Sequence, residues 1–533
     1  MTFSILNWQQ LANDSGAIEQ LEKIILPEYL KQCRWFGGKA RKLSEIWIDK
    51  ILTLTSINNE HTFFLLILKA KYNSGKSEEY FLPLSFISSS ENILEKGIIA
   101  QADNGFLIDA IYDAVFRQTI FIHLFNSQKI KQQNGAIFFE RGSAFIPETF
   151  SAEISSRVLD ADQSNSSIIF SREHTSPIGG GREGVGEGAD YFLKIYRKLF
   201  RETNPDVEVI QFLTEKAHFA HIPSFAGTFY WRKAFGAPIT LGMMQQKLTA
   251  IKDAWSLAGD YLNEFLISLS ADEIIIPQTS IEQATLLGTR TAEMHLALAN
   301  DFTDASFSPE PFNEEYADWI LDNCESLLKR RLRLTKDCYA VLDENGKTMA
   351  KFFMSNQHKI KEFFSRIKKL SLKSLRTRIH GDYHLGQILF NGSDYIILDF
   401  EGEPESSIKD RKIKHSPLKD VAGILRSFHY AVCAKLYFST TEHSVAPEKI
   451  NAAVTRWYNE VTAAFMNEYW KTINNNMVLT AEKEELDFLL QFHLLEKAVY
   501  ELGYELNSRP TWVKIPMKGI QQVLGTIQSK IEN

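Results

Sequence analysis

Residues 378–404 read RIHGDYHLGQILFNGSDYIILDFEGEP, and they decide the fold. The stretch is a β-like island in a second half that otherwise has helical texture. Inside it, His380-Gly381-Asp382 is followed by Gln387, and Asp399 opens Asp399-Phe400-Glu401-Gly402, 17 residues after Asp382. The apolar run from Tyr395 to Leu398 leads directly into the second aspartate. Loop, strand, turn, strand, acid is what two carboxylates need to face one cleft, because one end of a β-hairpin brings them together across the turn. Phosphoryl transfer from ATP uses such a set. One Asp orients the attacking hydroxyl and accepts its proton, while a second Asp and a neutral amide hold the Mg²⁺ that bridges the phosphates. Asp382 suits the first role, and Asp399 with Gln387 the second. Kinases normally place Asn where Gln387 stands; Gln brings the same carbonyl oxygen on a stem one methylene longer. Either tripeptide alone is a weak signal, but the ordered set at this spacing is specific.

Working outward, the chemistry also requires a cation on the phosphates. Lys194 sits mid-strand in YFLKIY (residues 191–196), alternating with apolar neighbours. A helix start follows at Asn204-Pro205-Asp206-Val207-Glu208: Asn as N-cap, Pro at the first helical position, and acids in the first turn. Glu208 is the expected partner of Lys194, with Asp206 as competitor and surface capping as its default role. Two segments compete to cradle phosphates. Residues 179–184 (GGGREG) form a literal GxGxxG, but only ten residues separate Gly184 from Lys194, so the whole 175–188 stretch reads as the link of a hairpin. The preferred candidate is Gln163-Ser164-Asn165-Ser166-Ser167, a strand–strand turn of small donors.

The chain has 533 residues, enough for two to four domains at roughly 100–200 residues each. With 44% hydrophobic and 23% charged residues, wholesale disorder and fibrous repeats are excluded. A net charge of −7 gives no basic footprint for nucleic acid or an anionic membrane. There is no apolar run of membrane-spanning length, and the start MTFSILNWQQ lacks a basic-then-apolar leader pattern, so a cytoplasmic protein is expected. Four scattered cysteines, without a CxxC, argue against a disulfide framework or a thiolate zinc site.

Strand-like runs at residues 45–54, 61–68, 80–87, 136–140, 166–171 and 191–196 give way after about residue 248 to three- and four-residue apolar spacing. The expected architecture is α+β and two-lobed, with the ligand in the cleft between lobes. The expected divisions are 1–100, an N-terminal cap; 101–247, a β-rich intermediate lobe; and 248–533, a helical lobe. Residues 88–133 read as an expansion between the cap and the phosphate-turn strands.

Together these residues resemble the bacterial maltokinases, a family with an aminoglycoside-phosphotransferase-like, protein-kinase-like fold. Arg34-Trp35-Phe36-Gly37-Gly38-Lys39 is similar to the motif of the family's cap, QSNSS to its phosphate loop, and NPDVEV to its lobe-spanning helix. Met243-Met244-Gln245-Gln246 is similar to its hinge, which would put Met244 and Gln246 beside adenine together with Gln163, Ser164, Asn165, Ser166 and Lys194 around the phosphates. HGDYHLGQ through DFEGEP is the most specific part, and it continues into residues 414–428. The resemblance implies ATP and Mg²⁺, transfer to the anomeric hydroxyl of maltose to give maltose 1-phosphate, and a place in trehalose or maltose conversion to glycogen or α-glucan. It implies a sugar face from His380, Asp382 and Arg426, with Glu496, Lys497, Tyr500 and Tyr504 on one helix. Functional coupling to trehalose synthase and a monomer or weak dimer are further implications. The rivals are a same-fold kinase of another sugar such as glucosamine, and a non-catalytic nucleotide- or sugar-binding regulator.

Overall fold

Continuous apolar runs build the first half of the chain and three- and four-residue periodicity the second. The structure, a computed structural model, describes residues 2–5, 7–39, 41–73, 75–89, 95–102, 104–146, 154–159, 164–172, 190–269, 273–438, 445–473, 477–479 and 482–532. Gln163 and the 175–188 stretch lie outside them. The chain divides into two units, residues 1–216 with 223–248, and residues 217–222 with 249–533.

In the first unit, β1 (Thr2–Phe3), β2 (Leu43–Thr55), β3 (Thr62–Tyr72), β4 (Glu78–Ile87), β5 (Ile98–Ala102) and β6 (Gly105–Asp109) form one sheet in the order β1-β5-β6-β4-β3-β2. Its FFLLIL run at residues 63–68 does not alternate because both faces are buried. One face packs on α1 (Ser15–Gln20) and α2 (Leu26–Gln32) through Leu66, Leu68, Leu82, Leu30 and Phe36. The other shares a core with α3 (Ala114–Phe125) and the second sheet through Phe63, Leu65, Phe116, Ile120, Leu193 and Phe229. Each such side chain contributes roughly 1.5–3 kcal/mol on burial.

The second sheet is antiparallel, made of β7 (Lys129–Gln132), β8 (Gly135–Arg141), β9 (Ile154–Val158), β10 (Ser166–Arg172), β11 (Tyr191–Ile195), β13 (Phe225–Arg232) and β14 (Ile239–Gln246), in the order β7-β8-β13-β14-β11-β10-β9. β10 and β11 pair from Ser166↔Ile195 to Phe170↔Tyr191, the hairpin pairing that the sequence predicts. Directly after β11, β12 (Lys198–Leu199) leaves this sheet and joins β4 of the first, so one short segment serves both sheets.

Residues 88–133, read as an expansion, hold β5, β6 and α3, whose Phe116, Ile120 and Leu124 are fully buried. The division drawn at residue 100 falls inside β5, and the first sheet runs on to Asp109.

The second unit is mainly helical: α5 (Ala254–Ile267), α6 (Gln278–Leu298), α7 (Glu314–Asp337), α8 (Glu344–Ser355), α9 (Gln357–Ser365), α10 (Leu418–Phe438), α11 (Pro447–Ile473), α12 (Lys483–Ser508) and α13 (Lys514–Glu532). β15 (Lys252–Asp253) pairs with β18 (Ile388–Phe390), which forms a hairpin with β19 (Tyr395–Ile397); β16 (Glu310–Pro311) pairs with β17 (Leu375–Arg376). Arg290 of α6 clamps the hairpin turn, its Nε and Nη2 donating to the two carboxylate oxygens of Asp394 at 2.8 and 2.7 Å.

Helices α6 and α11 meet at Gly288. A Cβ there would lie 2.4 Å from the backbone oxygen of Phe465, which cannot rotate away. Gly288→Ala would gain about 1 kcal/mol of helix propensity. Overpacking against backbone costs about 1–3 kcal/mol. The variant is therefore expected to be net destabilised, and urea denaturation should show a lower midpoint with an unchanged slope.

Candidate active site

The site of the second unit is built on the loop between β17 and β18. His380 is buried, and both ring nitrogens are engaged: Nε2 donates to the carbonyl of Leu398, just past β19, at 2.8 Å, and Nδ1 accepts from the Asp382 N–H at 3.4 Å. Gly381 has φ +87°, a conformation that favours glycine. Asp420, in the first turn of α10, accepts the backbone N–H groups of His380 and Gly381 at 2.8 and 3.0 Å. His295 links Asp420 to Tyr469, at 3.1 and 3.0 Å. Asp420 is 1% exposed; burial works to raise its pKa, but hydrogen bonding and charge from His295, with the loop amides, bring it below the ordinary carboxylate value.

Asp382 itself meets an ammonium. Lys497 of α12 lies 2.9 Å from its Oδ1 and 3.4 Å from Glu403 Oε1. Burial alone would push the Asp382 carboxyl up; Lys497 reverses this and holds it at about 2. Burial likewise opposes the charge of Lys497, whose pKa is nevertheless raised by Asp382 and Glu403. The preceding residue, Glu496, pairs with Lys419 at 2.8 Å and with His493 at 2.8 Å. Gly381, Tyr383, Glu403, Lys497 and Tyr500 line a small cavity of about 40 Å³ over Asp420. Downstream, Gln387 Nε2 donates to Asp399 Oδ2 at 3.2 Å, and Asp399 holds φ +61°. A non-glycine residue in that region stores strain of order 1 kcal/mol, and such strain clusters at functional sites.

The first unit carries the phosphate-facing candidates. Lys194 lies on β11 opposite Ser167 of β10 and Met243 of β14. Its Nζ is 3.0 Å from Asp206 Oδ2, which also accepts from the Tyr196 hydroxyl at 3.2 Å. Asn204 caps α4 (Pro205–Glu215) through the Asp206 N–H at 2.9 Å, with Pro205 first in the helix, as the sequence predicts. Asp206 is 2% exposed. It therefore pairs with Lys194 from a buried position and is not the surface cap that is its default role; Glu208 is half-buried in the same first turn. At the phosphate turn Ser164 is exposed, Asn165 is half-buried and Ser166 is buried with its hydroxyl accepting from Arg197 Nε at 2.8 Å. The Met244 side chain belongs to the core, which leaves only its backbone for a ligand; Gln246 is half-buried.

Two sugar candidates have partners within the chain. His380 has its ring nitrogens on the Leu398 carbonyl and the Asp382 N–H, and Arg426 is buried with its guanidinium on Glu501 (2.6 Å) and His429 (3.0 Å). Tyr504 is 54% exposed, with Arg509 5.2 Å over its ring, and does not line the cavity that Tyr500 lines. Asp420, Glu403, Lys419 and His493 went unassigned by the sequence reading. The signal for Asp420 was an acid in the first turn of a helix with an apolar surround.

Residues 29–116 match the maltokinase N-terminal cap domain. A glucosamine kinase of Streptacidiphilus jiangxiensis is 25% identical over 390 residues, 72% of this chain and 77% of that protein. A glucosamine kinase of Mycolicibacterium smegmatis is 27% identical over 146 residues, 27% of this chain and 34% of that one. Among solved structures, a glucosamine kinase in complex with glucosamine, ADP and inorganic phosphate has TM-score 0.62 at 18% identity, covering 97% of this chain and 99% of that one. A second crystal form of glucosamine kinase has TM-score 0.63 at 17% identity, covering 97% and 100%.

The chain is similar to maltokinases in its cap and to glucosamine kinases over most of its length. Its fold is that of these kinases, α+β with a β-rich first part and a helical second part. No described helix is long and apolar enough to cross a membrane.

Lys497 is the main group that keeps Asp382 ionised. Lys497→Met removes the ammonium and leaves the burial, so the Asp382 pKa should rise from about 2. On the kinase reading, in which the ionised form accepts the substrate hydroxyl, the acid limb of kcat/KM should move up, into about pH 4–6, and activity should be lost first at low pH. A pH–rate profile of the variant that is parallel to the native one would contradict this role.

Proposed function

We propose that the protein is an ATP-dependent sugar kinase. The observation that carries the reading is Asp382, ionised by Lys497 on a loop whose backbone is fastened by Asp420. An ionised carboxylate beside the acceptor hydroxyl orients it and takes its proton, while Lys194 sits on the phosphates, itself oriented by Asp206. Tyr500, and Tyr504 beyond it, would offer ring faces to sugar. Ser164 and Asn165 would donate to phosphate oxygens, and the backbone at Met244 and Gln246 would meet adenine.

Asp399 and Gln387 suit Mg²⁺ by chemistry: each side chain carries an oxygen, the kind of donor this ion takes, and the two are neighbours, the Gln387 amide nitrogen lying 3.2 Å from Asp399 Oδ2, so that turning the amide over would bring its oxygen to the same side. When bound, the ion neutralises charge on the transferring phosphates.

Two acceptors have support. The cap match favours maltose, phosphorylated at the anomeric hydroxyl, with the consequent link to trehalose, glycogen or α-glucan metabolism. The relatives favour glucosamine, and so does charge: of the residues lining the cavity, Glu403, Asp420 and Glu496 outnumber Lys419 and Lys497, which suits an ammonium-bearing sugar. A panel of sugars assayed for ADP release separates them. Maltose as acceptor should give a non-reducing, acid-labile product, whereas glucosamine preferred over maltose would reject the maltokinase reading and leave the kinase reading standing. ATP binding without ADP release from any sugar would favour a regulator.

Asp382→Asn keeps the loop geometry and loses the acceptor. It should lower kcat by about 10²–10⁴-fold with ATP affinity within about twofold. Near-normal turnover in this variant would remove the catalytic assignment.

A further inference from the structure

Arg197 lies where the chain passes from the second sheet to the first. It is 0% exposed, and its guanidinium is divided among three structural partners. Nη2 meets Asp109 Oδ2 at 2.5 Å, at the end of β6 in the cap sheet. Nε donates to Ser166 Oγ at 2.8 Å, at the start of β10, and Nη1 donates to the Phe81 carbonyl of β4 at 3.4 Å. Its backbone N–H reaches Asn165 Oδ1 at 3.4 Å, and its carbonyl accepts from the Phe81 N–H at 2.8 Å. The guanidinium also lies 4.8 Å over the ring of Trp35, in the RWFGGK stretch. One residue thus touches β4, β6, Trp35 and, through its side chain and its backbone N–H, Ser166 and Asn165 of the 164–166 turn.

The charge of Arg197 is matched by Asp109, so it is not an available phosphate ligand. Its geometry serves a different end. A planar fork with donors on Nε and both terminal nitrogens fixes direction as well as distance, which an ammonium cannot do. With Asp109 fixing Nη2 and Phe81 fixing Nη1, the Nε–H direction is set, and with it the position of the Ser166 hydroxyl.

We propose that Arg197, oriented by Asp109 and Trp35, is a positioning residue through which the N-terminal cap sets the geometry of the 164–166 turn and hence binding of the nucleotide phosphates. The proposal rests on the reading of that turn as the phosphate site. It gives the cap a function in nucleotide binding that does not require the cap to touch the nucleotide.

The test uses the full chain with ATP, adenosine and the acceptor sugar found in the panel. Arg197→Lys keeps the charge and loses the fork. It should raise the KM for ATP by about fivefold or more, the loss of one or two hydrogen bonds. KM for the sugar, kcat and the adenosine dissociation constant should stay within about twofold. Asp109→Asn should act in the same direction. Adenosine weakened as much as ATP would mean a general structural role and overturn the proposal, as would an unchanged ATP KM. If Arg197→Lys does not fold, Trp35→Leu decides: it leaves the ion pair in place and should raise the ATP KM by about twofold or more, and no rise overturns the proposal. Ser164→Ala with Asn165→Ala separates the two readings. If that pair raises the ATP KM while Arg197→Lys and Asp109→Asn do not, the role of the cap falls and the phosphate turn stands; if it does not, the phosphate turn falls, and the proposal with it.

Discussion

A buried carboxylate, Asp420, is the constraint on which the second unit depends. Removing such a group from water costs several kcal/mol, and only well-directed partners offset this. Asp420 has them: the amides of His380 and Gly381, and His295, itself tied to Tyr469 of α11. Hydrogen bonds to a charged group are worth about 1.5–3 kcal/mol each, so the set can stabilise its own burial. Its position in the first turn of α10 adds the favourable end of the helix dipole. The result is a loop whose backbone direction at Asp382 is dictated from α6, α10 and α11 together. Gly423 completes the contact: a Cβ there would sit 2.2 Å from the Tyr383 carbonyl, so α10 approaches the loop as closely as backbone allows.

The first unit uses the same device with opposite sign. Arg197 is the buried charge, Asp109 its partner, and the remaining donors are spent on a carbonyl and a hydroxyl. Burial pushes the Asp109 pKa up while Arg197 pulls it down, which is the balance expected of a pair held in a dry core. In both units a polar network fixes a loop by its backbone or its hydroxyls, and the surrounding apolar residues supply most of the stability without specifying that geometry. A lost partner in such a network costs more than the bond itself, because the other group is left buried and unmatched.

How far this was legible in the sequence follows from the range of each signal. The strands around residues 45–54, 61–68 and 80–87, and the helices that became α5, α6, α7, α10, α11 and α12, were readable because their periodicity is local. The N-cap at Asn204 and the hairpin of β10 with β11 were readable for the same reason. The elements of residues 88–133 were not legible because short strands and one helix alternate there too quickly to show a period, and what fixes them is the core they share with the second sheet. Asp206 was assigned to the surface because an acid after Asn-Pro is usually a cap; its burial depends on Lys194 and Tyr196, which the sequence separates from it. His380 and Arg426 were assigned to sugar from motif membership. Their partners, Leu398 and Glu501, are set by tertiary structure alone.

The acidity of Asp382 bears on what it contributes. A carboxyl held near 2 is a weak base toward a sugar hydroxyl, so taking the proton early would be uphill. Phosphoryl transfer has a loose transition state in which the attacking oxygen gains little bond order, and the proton need not leave until late. On the kinase reading, the principal contribution of Asp382 is then direction: an ionised acceptor that holds the hydroxyl in line. Lys497 makes that ionisation secure, and Glu403 shares the same ammonium, so the carboxylates do not repel one another unopposed. A hydroxyl approaching Asp382 has to share an oxygen with Lys497 or take the other, which fixes the side from which it arrives. The same pair that depresses basicity therefore narrows the geometry, and for a reaction governed by alignment the second effect is the larger one.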